Sequence, residues 1–308
     1  MDVLPSMFPL YTANFPCSAS ELERLLNHSL QRIFSIEADP VSIRDASYPH
    51  LKEIRVSLDG ARLHSNPAPP PSISGKMSPA LRVDRLSLSA LALSLGPATI
   101  DLSLSARAVN FVHGKDADAQ SVLSLENASD GKMEISIAQT DLEALIARLT
   151  QSQAGKQGIT IDGVQLKLRQ TSAHSLIAEV HLRARKLFLS ASIRVTGQID
   201  LDDQLNAKIS GLNCTGDGAF ATLACGILKP HLQKIDGREF PLVSLPPGEI
   251  RLRDVRLAVG DKLCVTAEFG SVAQGTVEIL DRAVATALGR RVSGNRPDPP
   301  SPRYGVAG

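Results

Sequence analysis

Apolar residues recur along this chain with two different periods, and each change of period marks an element. Between Ser18 and Phe34, Leu22, Leu25, Leu26, Leu30, Ile33 and Phe34 follow a helical spacing, and Ser18 with Glu21 forms a capping box at the start. An amphipathic helix is predicted there. From Leu51 the period becomes two. Ile54, Val56 and Leu58 alternate with Arg55, Ser57 and Asp59 as far as the turn residue Gly60, which predicts a strand with one apolar face. Pro67, Pro69, Pro70, Pro71 and Pro79 cannot donate to a β-ladder, so 66–79 reads as an exposed connection.

Two long alternating runs, 81–95 and 98–112, flank Gly96-Pro97 and predict a long hairpin. Within the first run the apolar phase slips from Leu86 and Leu88 to Leu91, Leu93 and Leu95, the mark of a bulge or a strong bend. The polar stretch 113–130 reads as loop and 132–138 as a strand. Leu142, Leu145, Ile146 and Leu149 mark a second helix over 141–149. The second half restates this grammar, with strands at 159–168, 176–187, 189–201 and 205–212. A third helix, capped by Asp217 and kinked or ended at Pro230, follows. A hairpin of 249–259 and 262–272 around Gly260-Asp261 precedes a last helix over 276–291, and the proline-rich tail from Val292 reads as disordered.

The expected organisation is an N-terminal extension over 1–17, one curved-sheet domain over 18–291, and the tail 292–308. The fold class is α+β: a long curved antiparallel β-sheet, of the β-roll kind, wrapping amphipathic helices.

Composition narrows the function classes. The 308 residues carry 33 Lys and Arg against 32 Asp and Glu, and this balance disfavours a general nucleic-acid binder. Aromatics are 4% with no Trp, so base- or sugar-stacking platforms are not expected, and what is buried is buried with aliphatic side chains. The start of the chain has an acid at Asp2, three prolines and no Lys or Arg before Arg24, unlike a signal peptide. The longest strongly apolar stretch, 219–228, is about half of a membrane-spanning helix. A cytoplasmic location, or one peripheral to a membrane, is expected. Cys17, Cys214, Cys225 and Cys264 form no C-x-x-C pair, and all four are expected to be reduced and unnecessary for folding.

Candidate chemistry is sparse. The seven histidines include no pair at metal-ligand spacing, and neither a phosphate-binding loop nor a nucleophile elbow is present, so no cofactor, metal or catalytic residue is assigned. In Thr215-Gly216-Asp217-Gly218 the Asp217 charge stands where an anion would sit, and the tetrapeptide reads as a capped turn. Asn27 and Asn127 fit the glycosylation pattern, but Asn27 falls inside a helix and neither carries weight without a leader. Arg183, Arg185 and Lys186 with Arg251, Arg253 and Arg256 form a basic stripe suited to lipid headgroups if their strands are neighbours; otherwise they are the wet face of a sheet.

The segment EFPLVSLPPGEIRLRDVRLAVGDKLCVTAEFGSV, 239–272, resembles the closing part of the LmeA-like phospholipid-binding family. The run 81–111 looks like that family's central hairpin, and GKMEISIAQTDLEALIARL, 131–149, is similar to its strand-then-helix step. The resemblance spans roughly 18–272. It implies a curved antiparallel sheet around helices, akin to tubular lipid-binding proteins, with an apolar cavity and no established reaction. The expected function is therefore binding or carriage of a phospholipid or similar amphiphile, without catalysis, with peripheral membrane contact. Leu102, Leu104, Val180, Leu182, Leu257 and Val265, each on the apolar phase of a strand, are the candidate cavity lining. The rivals are a solid-core structural or protein-interaction module, and a lipid hydrolase with dispersed catalytic residues.

Overall fold

The computed structural model describes residues 7–67, 71–186, 189–242 and 250–271. The helix expected over 276–291 and the tail from Val292 lie outside them. In chain order, β1 (Met7–Pro9) precedes α1 (Ala19–Ile33), β2 (Phe34–Ser35), β3 (Val41–Ser47), β4 (His50–Ser57) and β5 (Arg62–Leu63). The long hairpin β6 (Ser74–Leu95) and β7 (Ala98–Lys115) follows, then β8 (Ser121–Asn127), β9 (Asp130–Ala138) and α2 (Gln139–Ala154). A second set consists of β10 (Thr160–Ser172), β11 (Ser175–Lys186), β12 (Leu189–Leu201), β13 (Asn206–Asp217), α3 (Ala219–Ile235) and β14 (Glu239–Pro241). The hairpin β15 (Ile250–Val259) and β16 (Lys262–Ser271) closes the described chain.

The architecture is mostly β, in two open sheets. The larger runs β15-β16-β9-β7-β6-β4-β3, with β1, β2, β5 and β8 joined at its sides, and the smaller runs β10-β11-β12-β13-β14. Among the described residues every strand pairing is antiparallel except β4 and β5 on β6, which are parallel, so the large sheet is mixed rather than purely antiparallel as expected. Strand β15 returns from the far end of the chain to join β16, and β16 pairs with β9.

Several local expectations meet their physical cause here. Ser18 Oγ accepts the Glu21 N–H and so caps α1, whereas Glu21 returns to the Cys17 N–H at 3.0 Å. The phase slip in β6 is a register shift between Ala90 and Leu93 against β7. Ala92 sits there with φ 55°, and its N–H donates to Asp101 Oδ1 at 2.9 Å. That bond and Lys262 hold the Asp101 carboxyl below the ordinary carboxylate range.

Other expectations are corrected. Residues 74–79 belong to β6 rather than to a loop, and β8 occupies part of the stretch read as loop. Within the N-terminal extension, β1 pairs with β8 and Leu10 is fully buried. Asp217 ends β13 instead of capping α3, whose N-cap is Gly218 with φ 92°. The cysteines are not all free. Cys214 on β13 is bonded to Cys225 on α3, leaving Cys17 and Cys264 as thiols. The chain reverses at Gly218 and lays the first turns of α3 back on the face of β13 that carries Cys214, a proximity that spacing alone does not reveal.

The main core lies between α1 and the β3–β7 side of the large sheet, where Leu22, Leu25, Leu26 and Leu30 join Val41, Ile54, Leu81 and Val83. Helices also seal strand edges. On α1, Asn27 accepts the Val41 N–H at 2.7 Å and donates to the Val41 carbonyl at 3.3 Å, while Glu23 accepts the Ile43 N–H at 2.8 Å. On α2, Gln139 donates to the Leu166 carbonyl at 2.6 Å and Glu143 accepts the Leu166 N–H at 2.7 Å. In both helices a carboxylate and an amide four residues apart replace the missing neighbour of an edge strand, β3 or β10.

Candidate functional site

The register of the large sheet collects its aliphatic side chains on one face. Ala90, Leu102, Ile135, Val265 and Leu257 stand opposite one another in a single row across β6, β7, β9, β16 and β15. Leu88, Leu104, Met133, Ala267 and Val255 make the next row. Directly opposed residues project to the same side of a sheet, so four of the expected lining residues, Leu102, Leu104, Leu257 and Val265, share one surface.

The other two, Val180 and Leu182, lie on the small sheet, where Val180 pairs with Val195 and Leu166, and Leu182 with Ile193 and Val164. The aliphatic surfaces meet where Leu201 and Leu205 of the small-sheet side pack with Val255, Ala267 and Met133. A polar seam joins the sheets as well. Gln170 donates to the Leu257 carbonyl at 3.0 Å and accepts the Val259 N–H at 3.1 Å, and the Leu257 N–H donates to the Ala173 carbonyl at 2.7 Å. Asp254 lies 3.2 Å from His174 and 2.6 Å from Arg256, and these partners hold its carboxyl below its ordinary range.

Burial varies along this surface. Leu102 is 1% exposed and Leu257 8%, whereas Leu104, Val265, Met133, Ile135, Ile137 and Leu263 are half-buried. Val180, Leu182 and Val195 on the small sheet are half-buried too, as are Leu142, Leu145 and Ile146 of α2, and Leu149 is 65% exposed. At the end near α3, Leu182 and Val195 pack on Ala221, Ala224 and Cys225.

The basic residues do not form the stripe that neighbouring strands would have made. β11 lies between β10 and β12, and β15 pairs with β16. Arg185 pairs with Asp162 at 3.3 Å and Arg256 with Asp254, while Arg183 lies against Gly163, which has no side chain to obstruct it. Lys186 ends β11, and Arg251, directly opposite Gly270, is exposed. Arg253 occupies the bulge between Leu252 and Asp254 and donates to the carbonyls of Ser129 and Ser271 at 3.0 and 3.1 Å.

Two clefts lie elsewhere. One, of about 330 Å³, opens beside Arg85, Arg107 and Lys132, and the other, of about 430 Å³, beside Glu23, Arg24 and His28 on α1. Among the described residues no group of three or more His, Cys, Asp or Glu is placed to hold a metal ion, and no helix is long and apolar enough to cross a membrane. Comparison with family models, curated proteins and solved structures finds no match to this chain.

Proposed function

We propose that the aliphatic surface shared by the two sheets seats the acyl chains of a phospholipid or similar amphiphile, which the protein binds or carries without catalysis. One observation carries this reading. Leu104, Met133, Ile135, Ile137 and Val265 form a contiguous aliphatic surface that stays half-buried, whereas Val41, Leu51, Ile54, Leu81 and Val83 on the side of the sheet facing α1 are buried. Leaving aliphatic area in contact with water costs roughly 25 cal/mol per Å², so an apolar occupant would gain what the described side chains leave uncovered. A straight aliphatic chain suits such a surface better than a ring, because its lining is Leu, Ile, Val and Met.

The likeness of 81–111, 131–149 and 239–272 to the LmeA-like family supports the same conclusion, and in that reading the two sheets correspond to the curved sheet of a tubular lipid-binding protein. In that reading the protein touches a membrane surface peripherally, and Arg183, Arg185 and Lys186 stay exposed to water on the small sheet.

Native mass spectrometry of the gently purified full chain tests this directly. Copurified lipid is expected, and Leu104→Trp and Leu182→Trp should each reduce it with little change in melting temperature, because an unfilled surface accepts the added volume. If the parent protein carries no lipid and both variants are destabilised by roughly 1 to 3 kcal/mol, the strain of overpacking a filled core, the solid-core module replaces this reading.

A further inference from the structure

We propose that the cleft on the polar face of the large sheet is a binding site for a phosphoryl group. It lies on the opposite side of β7 and β9 from the aliphatic rows, and it does not depend on the lipid-binding reading.

Its walls carry Arg85, Arg107, Lys132 and Arg253 against two carboxylates, Asp130 and Glu268, which leaves two positive charges in surplus. The cations are not scattered. Arg85 on β6 and Arg107 on β7 are direct cross-strand partners. Like charges directly opposite destabilise a sheet unless something negative lies between them. Among the described residues neither guanidinium makes an ion pair or side-chain hydrogen bond. Elsewhere the same row obeys charge alternation: Arg44 stands opposite Glu53, Glu53 opposite Arg85, and Arg107 opposite Asp130. The Arg85–Arg107 step is the one place along that row where an anion is missing.

The other cations approach from different directions. Lys132, opposite Ser105 on one side and Glu268 on the other, contacts Glu134 at 3.6 Å. Arg253 is fixed across the end of β16 by its two carbonyl acceptors. Gly270 makes this possible, since a Cβ there would stand 2.5 Å from the Arg253 Nη2 atom. Ser105 and the backbone at Gly131 also line the cleft. Cations from β6, β7, β9 and β15 thus converge around a cleft of about 330 Å³. That arrangement suits a tetrahedral dianion, whose oxygens point several ways, better than a planar carboxylate, and the paired guanidinium forks supply bidentate donors.

A free phosphomonoester and an anionic lipid headgroup present the same chemistry, so the test uses both. The full chain is titrated calorimetrically with inorganic phosphate and with glycerol 3-phosphate at constant ionic strength. It is also cosedimented with phosphatidylcholine vesicles with and without phosphatidic acid. Saturable binding of at least one phosphoryl probe is expected. Arg85→Gln and Arg107→Gln should each weaken it about tenfold or more, the scale of a lost charged hydrogen bond, while Arg62→Gln on β5 leaves it unchanged. Circular dichroism checks folding, and Arg85→Lys, which keeps the charge but not the fork, should weaken binding in a protein of native charge. Arginine-dependent binding of glycerol 3-phosphate alone identifies a soluble ligand, and arginine-dependent binding to phosphatidic acid vesicles identifies a headgroup. No saturable binding of any probe, or binding that Arg85→Gln and Arg107→Gln leave unchanged, overturns the proposal.

Discussion

Breaking the Cys214–Cys225 bond, which ties α3 to β13, should lower the stability of the protein. The bond spans 11 residues of sequence, and closing a loop of about that length removes chain entropy from the unfolded state worth about 3 kcal/mol. Among the described side chains, Ala191, Ile193, Ala221 and Cys225 itself are buried around the bond. For a body of this size the loss corresponds to a fall of about 6 to 12 °C in Tm. The assay pairs thermal melts, with and without reductant, with thiol titration in denaturant. Two thiols should react before reduction and four after it. The variant Cys214→Ala/Cys225→Ala should melt like the reduced protein, whereas Cys17→Ser and Cys264→Ser should melt like the oxidised parent. Four reactive thiols in unreduced protein, or a melt indifferent to reductant, would refute the reasoning.

Asn27→Ala should cost about 1 to 3 kcal/mol in denaturant unfolding, because the buried Val41 N–H loses its acceptor; a change under a few tenths would show that water replaces it. Gly131→Ala should cost about 1 to 3 kcal/mol, since its Cβ would lie 2.3 Å from the Phe269 ring, and a co-substitution Phe269→Leu should recover part of it. Asp101, its carboxyl held low by the Ala92 N–H and Lys262, contributes stability that is fully present above its ordinary value near pH ~4 and declines as pH falls through its lower folded value. Asp101→Asn should therefore destabilise the protein at pH 6 more than at pH 3 by chemical denaturation, and an equal loss at both would count against the assignment.

Alternation made the strands legible wherever one face of a sheet is apolar and the other wet. The β6–β7 hairpin around Gly96-Pro97 is readable for that reason, and so is the slip of phase, which a bulge or a strong bend would produce and which the register shows to be a shift between Ala90 and Leu93. β8 escaped because Ser121, Val122, Leu123 and Ser124 are buried consecutively, covered on both sides, and so show no period. The parallel pairing of β4 with β6 is a long-range fact with no local signal. Which strands are neighbours decided the site. Leu102, Val265 and Leu257 were chosen for phase alone, and only the register sets them in one row. Arg85 and Arg107 each sit on a polar phase, where an arginine is commonplace in sequence. Their meaning arises from standing opposite each other. The Cys214–Cys225 pair was hidden similarly, by a reversal at Gly218 that spacing does not encode.

The sealing of β3 and β10 by helix side chains has a consequence for recognition. A partner that binds by adding its own strand needs a row of unsatisfied N–H and C=O groups, and here Glu23 with Asn27, and Gln139 with Glu143, already occupy positions that such a strand would use. Copies of the chain meet the same refusal, which guards a β-rich molecule against growing into a filament through these edges. Anything that engages this protein there must first displace a helix. The faces of the large sheet, one aliphatic and one bearing the arginine cleft, ask for no such displacement.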